Sequence, residues 1–198
     1  MEFFESFMKF RFADEDLFYI EDDPLVVETC GVKACECVVL LSPNVALIEA
    51  KASSPKEIGC ERFEEFINDV KQKFADSLRL FTEVKNGLHG EDAFLRLPVN
   101  LRSLDLRSDQ YLICLIIHGH KVEWLGELQD AFRDAMREVI KEWNIQDSKV
   151  KVYNEELAVE NHLIVAYIPK SERDAVRNAD GNADKQKMKD WFDRKGNA

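Results

Sequence analysis

Cys35-Glu36-Cys37-Val38-Val39-Leu40-Leu41-Ser42-Pro43-Asn44-Val45-Ala46-Leu47-Ile48-Glu49-Ala50-Lys51 is the stretch on which the fold turns. Two apolar, β-branched runs meet at Ser42-Pro43-Asn44, where Pro presets φ and Asn tolerates a left-handed residue, so the stretch predicts a β-hairpin. With the turn centred on Pro43-Asn44, Glu36 falls opposite Lys51 and Val38 opposite Glu49. Side chains alternate along a strand, which puts Glu36, Glu49 and Lys51 on one face at the open end, with Cys35 and Cys37 on the other. A one-residue slip would invert that arrangement.

Outward from the hairpin the pattern stays mixed. Upstream, Phe7 to Phe12 and Leu17 to Ile20 read as short strands, separated by the acidic Asp14-Glu15-Asp16 and closed by Asp22-Asp23-Pro24. Downstream, Ser53-Ser54-Pro55 offers a cap with Pro at the first helical position. Phe63, Ile67, Val70, Phe74, Leu78, Phe81 and Val84 then trace one helical face as far as Asn86-Gly87. Residues 88–110 show no period and read as an irregular connection. Tyr111 to Ile117 is a continuous apolar run, the pattern of a strand buried on both faces. A second amphipathic helix follows from about Glu123 to Trp143, then a strand at Lys149 to Tyr153, a short helix capped by Asn154, and a last apolar run from Leu163 to Ile168 before Pro169.

The expected fold class is α/β: a mixed sheet with a central hairpin, flanked by amphipathic helices, in one domain over residues 1–169. Residues 170–198 hold Val176, Met188, Trp191 and Phe192 as their only large apolar side chains and read as a charged, mostly disordered tail. On a helix, Met188, Trp191 and Phe192 would form one apolar edge, suited to docking on a partner or a second copy.

The 198-residue length suits one domain of roughly 100 to 200 residues. A net charge of −11, with 19 bases against 32 acids in residues 1–169, repels a polyanion at long range and disfavours a charge-driven nucleic-acid binder. No apolar run approaches the roughly 20 residues that span a bilayer. The opening carries Glu2 and Glu5 before any base, the wrong polarity for a leader, so the expected location is the cytoplasm, away from membranes. Five cysteines in mostly apolar stretches fit reduced thiols packed as small hydrophobes, and their C-x4-C-x-C spacing lacks the C-x2-C clip of a zinc site. His118 and His120 flank a glycine at a strand end and read as the start of a loop.

Two carboxylates and an ammonium at the end of an apolar hairpin suit a divalent-metal site. Carboxylate oxygens favour Mg²⁺ (or Mn²⁺), and the Ala50 carbonyl between Glu49 and Lys51 offers a neutral ligand. Lys51 could then position or deprotonate a water while the ion stabilises an in-line phosphoryl transition state.

Glu36, twelve residues, then Glu49-Ala50-Lys51 resembles the PD-(D/E)xK, or restriction-endonuclease-like, nuclease superfamily. Acid-x-Lys occurs five times in this chain, and only the copy at Glu49 ends a strand. The setting adds to it: a hairpin, an acid at its start, acid-x-Lys at its exit, a long helix, then strand, helix and strand, similar to the family's αβββαβ core over residues 15–155. The resemblance implies Glu36, Glu49 and Lys51 as catalytic residues, Glu36 and Glu49 as metal ligands, and Glu21 as an upstream acid. Glu stands at position 36 where the family usually has Asp, and the segment before residue 15 reads as strand where the family has a helix. Lys56 and Arg62 are the bases placed to touch a phosphate.

Two functions follow. One is a metal-dependent nuclease, the cutting subunit of a defence or repair assembly in which a protein partner or a further copy supplies affinity for nucleic acid that the acidic chain binds weakly by itself. The alternative is a catalytically inactive, nuclease-like adaptor that binds a protein partner. Metal binding separates them.

Overall fold

The hairpin forms in the computed structural model of the chain, which describes residues 1–105, 107 and 110–196. Leu106, Ser108 and Asp109 of the expected irregular connection, and the last two residues of the expected tail, lie outside the described residues. Strands β4 (Cys37–Leu41) and β5 (Asn44–Lys51) pair antiparallel, with Leu41 opposite Asn44 and Cys37 opposite Ile48. Ser42 and Pro43, joined by a cis bond, are therefore the whole loop, and Asn44 belongs to the strand. This displaces the expected pairing by two residues: Val38 faces Leu47, and continuing the register brings Glu36 beside Glu49. A two-residue displacement leaves every side chain on its face, so Glu36, Glu49 and Lys51 stay on one side. Cys37 points the other way as expected. Cys35 does not, because it lies in the extended lead-in to β4, where its N–H donates to Ser77 Oγ at 2.9 Å and its thiol packs on the helix side.

The hairpin sits within a five-stranded sheet of order β3-β4-β5-β6-β7, where β3 is Leu17–Phe18, β6 Tyr111–Ile117 and β7 Val150–Asn154. Strands β3 to β5 run antiparallel, whereas β6 and β7 are parallel to β5. Beyond the last β5–β6 pair, Lys51 with Ile117, the His118 N–H donates to the Lys51 carbonyl at 2.9 Å and ties the two strand ends together.

One face of this sheet is covered by helices α2 (Glu61–Lys85) and α5 (Leu125–Glu142). Their apolar stripes meet at Phe74 and Phe132, with ring centroids 5.8 Å apart, and fully burying each such ring contributes about 1.5–3 kcal/mol. Helix α2 begins at Glu61 and not at Pro55, since residues 52–60 form a loop in which Gly59 has φ +84. A short helix α1 (Pro24–Val27) precedes the hairpin, and the stretch after α2 holds α3 (Glu91–Arg96) and α4 (Val99–Ser103) where the sequence offers no period.

The other face is covered by a small antiparallel sheet of β1 (Glu2–Glu5), β2 (Met8–Arg11) and β8 (Ala166–Tyr167), together with α6 (Glu155–Glu160). Phe3, Met8 and Phe10 pack there against Cys37, Ile48 and Cys114. In place of one strand over Phe7–Phe12 there is a two-strand hairpin, turned at Ser6 and Phe7, both with positive φ. Ser6 Oγ donates to the Ala50 carbonyl at 3.1 Å, which anchors this turn to the end of β5.

In place of the expected disordered tail, residues Lys170–Val176 form a 3₁₀ helix and α7 spans Lys185–Gly196. Met188, Trp191 and Phe192 are buried with Phe7, Ile168 and Val176, so the apolar edge docks on its own chain, with Phe192 5.5 Å from Phe4 between ring centroids. Composition averaged over the segment hides three large side chains that share one helix edge. Among the described residues, no helix is long and apolar enough to cross a membrane.

Candidate metal centre

Five separate pieces of chain bring charge to the open end of the hairpin. Glu5 ends β1, Glu21 lies in a 3₁₀ turn (Ile20–Asp22), Glu36 leads into β4, Glu49 and Lys51 end β5, and Asp69 and Lys73 project from α2. Glu36 is 3% exposed and Glu49 fully buried. The sheet is covered by α2 at this point, and Glu49 lies beneath it.

Lys51 Nζ and Lys73 Nζ each stand 2.9 Å from Glu49 Oε1, and Lys73 reaches towards Glu21 at 3.7 Å. Lys51 also faces Asp69 at 3.6 Å. These are ion pairs by distance, yet neither ammonium is aligned with Glu49 as a hydrogen bond, and both Glu49 oxygens lack an aligned donor. Burial pushes the Glu49 carboxyl up while Lys51 and Lys73 pull it back. Lys73 is pulled down by burial but raised on balance by Glu49, Glu36 and Glu21, so it stays an ammonium. Asp69, against burial, is held below its usual range by Lys33, Lys51 and Lys73.

Glu36 differs from Glu49 in having no ammonium of its own. Its Oε2 is buried without a hydrogen-bond partner. Burial first, then the charges of Glu49, Glu5 and Glu21, push its pKa up to about 10. Carboxylate oxygens of Glu5, Glu21 and Glu36 lie within 4.8 Å of one another, and among the described residues this is the one group of acid, imidazole or thiol ligands close enough to hold an ion. An all-carboxylate set with one bare buried oxygen fits a hard divalent cation. Glu5 is ion-paired with Lys185 of α7 at 3.2 Å.

Of the residues singled out in the sequence, Glu21, Glu36, Glu49 and Lys51 converge. The Ala50 carbonyl already accepts from Ser6 Oγ. Lys56 and Arg62 stand apart from the acids, around a solvent-open cleft with Ser53, Ser54 and Phe66. Lys56 Nζ is 5.8 Å from the Trp124 ring centroid. Glu5 and Lys73 were not foreseen. Lys73 carried a signal, since it extends the row Phe66, Val70 and Ser77 on the flank of the α2 apolar stripe, where a lysine needs an acid to reach. Glu5 carried none. The cysteines are free, and burial pushes the thiols of Cys35, Cys37 and Cys114 up, as inert core groups.

Comparison of the chain with protein-family models, curated proteins and solved structures gave no match.

Proposed function

We propose that this chain is a metal-dependent nuclease, hydrolysing nucleic-acid phosphodiester bonds at the end of β5. The observation that carries the reading is Glu36, a buried carboxylate with an unpartnered oxygen beside Glu5 and Glu21. Such a group requires a proton or a cation, and three converging carboxylates suit Mg²⁺ or Mn²⁺. Glu5, Glu21 and Glu36 would hold the ion, with Glu49 beside them. When bound, it supplies charge neutralisation at a phosphoryl group under in-line attack.

The chain's own groups divide the remaining work. Lys73, the more buried of the two lysines, offsets the burial of the Glu49 carboxyl and fixes it in place. Lys51, with its side chain 25% exposed, reaches the solvent side, where its ammonium would orient the attacking water. Asp69 holds Lys51 from the opposite side. The order β3-β4-β5, then α2, then β6 parallel to β5, supports the resemblance to the PD-(D/E)xK superfamily. The N-terminal β-hairpin stands where that family has a helix. The charge of −11 supports a role as the cutting subunit of a larger assembly, with a partner bringing the nucleic acid.

Labelled single- and double-stranded DNA and RNA, incubated with Mg²⁺, Mn²⁺ or a chelator, test this directly. Metal-dependent cleavage is expected, reduced at least about hundredfold by Lys51→Ala and by Glu36→Gln. A wild-type chain that cleaves none of these substrates and shows no heat on calorimetric titration with Mg²⁺ or Mn²⁺ would leave the adaptor reading in its place.

A further inference from the structure

The C-terminal segment carries two guanidinium groups into a cleft of about 360 Å³ beside the acid cluster. Arg173 comes from the 3₁₀ helix over Lys170–Val176, and Arg177 from the residue that follows it. Ser6, Phe7, Ser53 and Asn182 line the same space. Both arginines lie on one ring, with guanidinium carbons 5.1 and 5.7 Å from the Phe7 centroid.

Arg173 is 7% exposed, and no carboxylate lies within ion-pair distance of it among the described residues. Its Nη1 donates to the Ala52 carbonyl at 3.4 Å, its Nη2 contacts His118 Nδ1, and its Nε is buried without a partner. Arg177 Nε is also buried and unpartnered, with Asp174 3.6 Å away on an almost fully exposed side chain. Glu5, the one carboxylate lining the cleft, is ion-paired with Lys185. The fold makes room for this arrangement: Gly119 has φ +75, and a Cβ there would run into Arg173 Nη2.

The buried Arg173 is repelled by the partly exposed Arg177 beside it, and burial together with Arg177 lowers the Arg173 pKa. A fold that buries an arginine ordinarily supplies it with an acid. Here both arginines line one cleft, and planar guanidinium forks match the oxygens of a tetrahedral oxyanion. We propose that Arg173 and Arg177, helped by the Ser53 hydroxyl, form a phosphate-binding subsite. It rests on the nuclease reading only for what the phosphate belongs to: a nucleic-acid strand seated beside the carboxylate cluster, with Glu5 at the border of both sites.

The same chemistry is offered by a terminal phosphomonoester and by an internal phosphodiester, and the experiment separates them. With the full chain in chelator, so that no metal contributes, inorganic phosphate is titrated while the thermal midpoint is followed. Calorimetry then compares short oligonucleotides bearing a 5′-phosphate, a 3′-phosphate or hydroxyls at both ends. Phosphate should raise the midpoint of the wild type and leave that of Arg177→Ala unmoved. A terminal-phosphate seat gives at least about tenfold tighter binding of one phosphorylated oligonucleotide, lost in Arg177→Ala. A phosphodiester seat gives equal binding of all three, weakened alike by the substitution. Arg173→Gln should behave as Arg177→Ala, and the more exposed Arg177 keeps the test decisive if Arg173→Gln does not fold. Equal phosphate response in wild type and Arg177→Ala would overturn the subsite even if metal-dependent cleavage is found. Phosphate binding without any cleavage would overturn the nuclease reading and leave the subsite standing.

Discussion

Two clusters of buried charge flank the end of β5, and they are unbalanced in opposite senses. On the helix side, Glu49 has two ammonium groups within 2.9 Å while Glu36 has none and keeps a bare oxygen. On the side of the C-terminal segment, Arg173 and Arg177 share a phenyl ring and, among the described residues, have only the exposed Asp174 within ion-pair distance, of Arg177. Burying an unpaired charge costs several kcal/mol, and the ordinary remedy is to pair it within the chain. This chain holds acids and arginines around one strand end and leaves them apart. The difference fits the two proposals, in which each cluster would be completed from outside, one by a cation and the other by an anion.

The largest expected effect comes from making the same kind of substitution in both. Lys73→Met leaves Glu49 buried with half its compensation and should cost about 3–5 kcal/mol in urea unfolding. Arg173→Met replaces an uncompensated cation by an apolar side chain and should be neutral, or stabilising by about 1–2 kcal/mol, in phosphate-free buffer. Equal losses in the two variants would break the contrast.

Next comes pH. Glu36 has its folded pKa near 10 against an ordinary 4.5, so it disfavours folding wherever the unfolded chain is ionised. The contribution of Glu36 to the stability of the metal-free protein is therefore most favourable below 4.5 and falls as pH rises towards 10. The thermal midpoint should drop by at least about 5 °C between pH 5.5 and 8.5, less in Glu36→Gln, and Mg²⁺ should restore it only in the wild type. An identical pH profile for Glu36→Gln would remove Glu36 from the account.

The smallest effect is expected at Lys185, whose ammonium side chain is largely exposed where it pairs with the half-buried Glu5. Lys185→Ala should change stability by less than about 1 kcal/mol while tightening Mg²⁺ severalfold in calorimetry, because the ion no longer competes with an ammonium for Glu5.

The hairpin, the two long helices and the central strand β6 were readable because each carries a strong local period. The site survived a turn placed one residue too late because parity, and not exact pairing, decides which face a side chain takes. Glu5 was unreadable for a different reason: it reaches the centre through a β1–β2 turn held to Ala50, a contact between residues more than forty apart in sequence. Arg173 and Arg177 were lost with the tail, since average polarity conceals Trp191, which is 9% exposed and donates its indole N–H to Glu172 at 3.0 Å.

That docking of the C-terminal segment also sets an order of assembly. Phe4 meets Phe192 and Glu5 meets Lys185 across nearly the whole described chain, contacts with a large loop-closure entropy to overcome. Residues 5 to 73, which supply every carboxylate and both ammonium groups around Glu49, leave the ribosome before Arg173 is made. A nascent or prematurely terminated chain thus holds its acids without Arg173 and Arg177, and the proposed phosphate seat would come into being only when residues 170–196 meet the β1–β2 hairpin.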